Sequence, residues 1–162
     1  MRSRTLLALV VGGIVFLAAS PGAMSSGLGH HATLSAQEQS LLNAINLVRA
    51  RHGRPPLRVS APLQRAARGH SRAMLRTGNF THGNWYQRLR RHGARGRTLG
   101  ENIAWGSGSA GTPSALVRMW LESPPHRATM LSREFRYAGV GVARGTFSGY
   151  GGASVATADF AG

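Results

Sequence analysis

The sequence predicts an α+β domain in which helices cover a small sheet. Three observations carry this. Apolar residues recur at helical spacing from residue 38 to residue 131, apart from a short apolar segment near residue 100. β-Branched and small residues with turn glycines between them crowd the stretch 137–160. No internal repeat interrupts the order, which is helices first and strands late.

The elements follow in chain order. "SAQE" at 35–38 is a capping box, and Leu41, Leu42, Ile45 and Val48 continue it as a helix that Gly53 stops. "RPPL" is a turn, because its prolines cannot extend a helix. A second helix starts after Ser60 with Pro62 in its first turn, and Gly78 closes it. Leu63, Ala66, Ala67, His70 and Met74 share its inner face, which makes His70 a core histidine with a hydrogen-bond partner. "NWYQRLRRHG" forms a short helix with Trp85 and Leu89 inward. "GENIAW" reads as a buried strand or extended segment and "GSGSAGTP" as a mobile loop. Thr112 and Pro113 open a third long helix with Leu116, Met119 and Trp120 inward, and Ser123 with Pro124 opens another. "YAGVGVARG" and "GASVATADF" form a hairpin.

Residues 1–25 have the layout of a secretory signal peptide: Arg2 and Arg4, then an apolar run from Leu6 to Ala19, then small residues and Pro21. The run is short for a membrane span, and an uncleaved anchor is the alternative. Either way the expected location is secreted or at the cell envelope. Residues 26–36 form a linker and residues 37–162 one domain, large enough for a single core. There is no cysteine, hence no disulfide and no thiolate metal site.

The formal charge is +15, and all twenty Lys/Arg positions are arginine. The arginines are scattered, without the run or helix stripe of a nucleic-acid footprint, so no specific nucleic-acid partner is expected. Attraction to anionic polymers and lipid surfaces is expected whatever the function. No nucleophile elbow, zinc helix of the HExxH type or P-loop is present. His82, Glu101, Glu122 and His126 stand out, because each flanks glycine, proline or aromatic residues at a segment junction. Two imidazoles with one or two carboxylates are sound ligands for zinc or another divalent cation. Spacing alone does not force them together, and Glu101 has the alternative of holding backbone donors.

"FTHG", "GENIAWG", "LVRMWLESPPHRATMLSREFRYAGVGVA" and the closing "ATADF" are ordered and well spaced over residues 37–160. Together they resemble the CAP superfamily of cysteine-rich secretory proteins, venom allergens and plant pathogenesis-related proteins, in its bacterial branch. The resemblance implies an α-β-α sandwich around a small antiparallel sheet, secreted, with a central cleft. It places His82, Glu101 and His126 in that cleft, His82 and His126 being the metal candidates with Glu101 beside them. The fourth cleft position falls on Ser123, with the carboxylate of Glu122 one residue earlier, about 100° away around a helix. The resemblance implies a monomeric extracellular module, more a binder than an enzyme, for a lipid, sterol or envelope component. The alternatives are a metal-dependent hydrolase using the same cleft and a cationic binder of envelope polymers. The arginine-rich stretch between His82 and Glu101 is expected to be a surface excursion.

Overall fold

A computed structural model describes residues 33–162, so the expected signal peptide and most of the linker lie outside the described residues. Five helices and four strands form in the order α1 (Ala36–Arg51), β1 (Arg58–Val59), α2 (Ala61–Thr77), α3 (Trp85–Arg91), β2 (Leu99–Gly106), α4 (Pro113–Glu122), α5 (Pro124–Leu131), β3 (Tyr137–Phe147) and β4 (Tyr150–Ala161). The sheet order is β1-β3-β4-β2. The late hairpin therefore supplies the two central strands, and β2 is an edge.

The sheet departs from the purely antiparallel expectation in one place. Arg58 and Val59 pair in parallel with Tyr137 and Ala138. Beyond Ser60, whose N–H donates to Ala138 O, the outer side of β3 has no strand beside it. The Gln64 side chain takes over there: its Oε1 accepts from Val140 N at 2.9 Å and its amide donates to Val140 O. Buried backbone groups need such partners, and a buried glutamine amide offers both a donor and an acceptor.

Strand alternation sorts the layers. Ala138 and Val140 on β3, with Ala156, Ala158 and Phe160 on β4, pack against Leu41, Leu42 and Ile45 of α1 and Leu116 and Trp120 of α4. Trp120 also donates its indole N–H to Ile103 O at 2.9 Å, so its ring is buried with its polar atom paired. Gly139 and Gly141 face the other way, onto α2. A Cβ on Gly139 would lie 2.1 Å from the Leu63 carbonyl carbon, and one on Gly141 would lie 2.4 Å from Ala67 O. Helix α2 lies this close to the sheet because neither strand residue has a side chain. The result is three layers, with α2 and α3 on one face and α1, α4 and α5 on the other.

The helix ends follow the local signals. Ser35 and Glu38 complete the capping box of α1, and Gly78 ends α2 at φ +69°. "GSGSAG" is more ordered than expected: Gly108–Gly111 forms a 3₁₀ turn packed on Gly106.

Candidate functional site

The edge strand β2 builds the site with two consecutive residues. Glu101 and Asn102 point to opposite faces of the sheet. On the α2 face, Glu101 reaches the loop between α2 and α3, where its Oε1 lies 2.8 Å from His82 Nδ1. On the other face, Asn102 Nδ2 donates to His126 O on α5 at 2.9 Å. One strand thus holds both halves of a cleft that wraps around its edge. The His82 and His126 rings face each other with centroids 6.2 Å apart and planes 29° from parallel.

Each imidazole is oriented through Nδ1. His82 donates to the Glu101 carboxylate, a pairing that leaves Nε2 as the unprotonated nitrogen in the neutral ring. His126 Nδ1 lies 2.8 Å from Ser123 Oγ. Ser123 is the N-cap of α5, yet its hydroxyl caps no backbone N–H and serves the histidine instead. Neither Nε2 has a hydrogen-bond partner among the described residues. Burial, and then the neighbouring His82, lower the His126 pKa, which favours its neutral ring.

Two adjoining hollows of about 280 and 520 Å³ open here and share Phe80, Ile103 and His126. Trp105, Met119 and Ser123 extend one, and Thr81, His82 and Gly83 extend the other. The walls are thus mostly apolar, with the two imidazoles, Thr81 and Ser123 as the polar side chains.

Of the expected cleft residues, His82, Glu101, His126 and Ser123 come together. Glu122 does not: it is exposed at the end of α4 and lines neither hollow. One residue of rotation separates it from Ser123. His70 is the expected core histidine, with Nε2 2.9 Å from Thr81 O.

Two participants escaped the sequence reading. Arg88 of α3 turns inward from the arginine-rich stretch and donates to Glu101 Oε2 and, at 3.2 Å, to His82 O. That stretch is therefore not wholly a surface excursion. Asp159 of β4 lies directly across from Glu101 in the sheet register and is fully buried. Neither of its oxygens accepts a hydrogen bond from a donor group. Burial, and then the Glu101 charge, push the Asp159 carboxyl well above the usual carboxylate range, against the pull of Arg88. The raised pKa favours the protonated, uncharged form of Asp159 beside the Glu101 charge. The signal for Asp159 was an acid at a strand position inside "ATADF", one of only five acids in the chain.

The divalent cation that the resemblance implies is poorly matched by these donors. Glu101 stands behind His82, with one oxygen on that histidine and the other on Arg88, and so does not complete a set with the two imidazoles. Among the described residues no three His, Cys, Asp or Glu side chains gather as metal ligands. A zinc centre takes at least three protein ligands, and two imidazole Nε2 atoms fall short of that.

Three layers, with a histidine pair held from both sides of an edge strand, define a class of protein domain. The profile of the cysteine-rich secretory protein family, CAP, matches residues 42–160, and this chain belongs to that family. The chain is 32% identical over 114 residues to the uncharacterized protein YkwD of Bacillus subtilis, covering 67% of this chain and 43% of that protein. It is 32% identical over 112 residues to the uncharacterized membrane protein YlbC of the same organism, covering 66% of this chain and 32% of that protein. The chain thus spans less than half the length of either relative. Among solved structures, an extracellular SCP-domain protein of Bacillus anthracis matches with a TM-score of 0.64 and 28% identity over 77% of this chain and 40% of its own. An outer surface protein of Borrelia burgdorferi shares the fold, with a TM-score of 0.59 and 18% identity over 75% of this chain and 90% of its own. No helix among the described residues is long and apolar enough to cross a membrane.

Proposed function

We propose that this chain is an extracellular, non-catalytic binding module whose cleft takes an amphiphile with an apolar body and an uncharged polar head. The carrying observation is the pair of free Nε2 atoms beside an apolar wall. Each imidazole is fixed through Nδ1, so its Nε2 is presented in a set direction with little ordering left to lose on binding. Phe80, Trp105 and Met119 offer the apolar body a surface to cover, and Phe80 is 40% exposed. A few placed polar groups on an apolar lining are the common pattern of small-molecule sites. The location is supported by the extracellular and outer-surface descriptions of the two solved relatives.

The test is calorimetric titration with dodecanol, a long-chain alcohol without charge. Saturable binding is expected, insensitive to salt and weakened about tenfold by His126→Ala through loss of one hydrogen bond of about 1.4 kcal/mol. Phe80→Ala, at an exposed position, should weaken it by a similar factor. Absence of saturation, or affinity unmoved by both substitutions, would exclude the cleft as the site.

A further inference from the structure

A second hollow of about 280 Å³ lies at the other edge of the sheet, lined by Pro55, Pro56, Arg58, Arg136 and Tyr137. It exists because of β1. The parallel pairing sets Arg58 opposite Tyr137, and Arg58 N–H donates to Arg136 O at 2.9 Å. Two arginines and a tyrosine from distant parts of the chain thus line one hollow, with no carboxylate in the lining.

The charges here have no internal partner. All five acids of the chain lie among the described residues. Glu38 pairs with Arg68, Glu101 with Arg88, Asp159 is buried in the sheet, Glu134 accepts from Thr98, and Glu122 is at the end of α4. The Arg58 guanidinium makes no hydrogen bond among the described residues. Arg136 spends one nitrogen, Nη1, on Arg133 O and Phe135 O and leaves the rest of its fork free. Nearby, the buried Arg49 has its pKa lowered first by burial and then by Arg136 and Arg54, which reports a concentration of positive charge at this edge.

We propose that this hollow binds a phosphate ester. Guanidinium forks match phosphate oxygens in pairs, and the Tyr137 hydroxyl adds a third donor. The two prolines form a stiff apolar ledge for the organic part of the ester. The site shares no residue with the histidine cleft, so either reading stands or falls alone.

The test uses the folded domain with glycerol 1-phosphate by calorimetry, and with phosphatidylcholine vesicles carrying phosphatidylglycerol by co-sedimentation. Arg58→Lys keeps the charge and loses the fork, and is expected to weaken ester binding about tenfold. Tyr137→Phe should weaken it by a smaller factor. Arg144→Ala removes an exposed charge about 20 Å along β3 and should leave affinity unchanged. Displacement of the domain from vesicles by glycerol 1-phosphate would identify a lipid head group as the source. Ester binding without vesicle binding would identify a soluble or polymeric ester. Either result supports the site if it depends on Arg58. Full affinity in both Arg58→Lys and Tyr137→Phe, an equal loss in Arg144→Ala, or no binding in either arm would overturn it.

Discussion

At the scale of single residues, the acids of the cleft divide the work between charge and proton. Glu101 meets His82 and Arg88, while Asp159 sits behind it without an ionic partner of its own. The stability consequence has a definite sign. A carboxyl whose pKa is raised by folding contributes fully below its unfolded value, near 3.8, and loses that contribution as pH climbs toward the folded value. Asp159→Asn keeps the side-chain shape in uncharged form and removes the titration. The variant should therefore melt above the parent at pH 7, with the gap closing as the pH is taken down toward 4. Thermal melts at the two pH values check this, and a gap that widens on acidification would contradict a neutral Asp159. Residue roles were only partly legible in the sequence. His82, Glu101 and His126 were found through ordered motifs, because spacing alone does not join them. Arg88 and Asp159 were missed for a physical reason: one depends on which way a short helix faces, the other on a strand register set by the whole hairpin.

At the scale of elements, most boundaries were written locally. The capping box of α1, the Thr112 cap of α4 and the glycine end of α2 are side-chain or backbone devices confined to a few residues. Strand β1 was not legible, since two residues carry no periodicity and the pairing partner is remote. The contact of α2 with β3 is the element-scale feature most sensitive to change. Gly141→Ala forces a methyl against the Ala67 carbonyl, and overpacking of this kind typically costs up to about 3 kcal/mol. Denaturant unfolding should show that loss, whereas Gly151→Ala, where a Cβ meets nothing within 4 Å, should leave stability near the parent value.

At the scale of the whole molecule, eighteen arginines against five acids in residues 33–162 leave a formal charge of +13 that repels itself across one small domain. The melting temperature should rise as sodium chloride goes from about 10 mM to about 0.3 M, where screening shortens to well under the size of the fold. Differential scanning calorimetry at fixed pH tests it, and a flat response would mean that bound anions already neutralise the surface. The overall α+β class was legible because the hairpin signals cluster late, while the assignment of layers to faces needed the alternation of β3 to be seen against α2. The parallel contact of β1 with β3 carries one more consequence, in time. It closes a long loop around α2 through α5, and such closures are slow to form and early to open. The arginine hollow should therefore be the last part of the molecule to assemble during refolding, and the Arg58 and Ser60 amides should exchange with solvent sooner than those of the central hairpin.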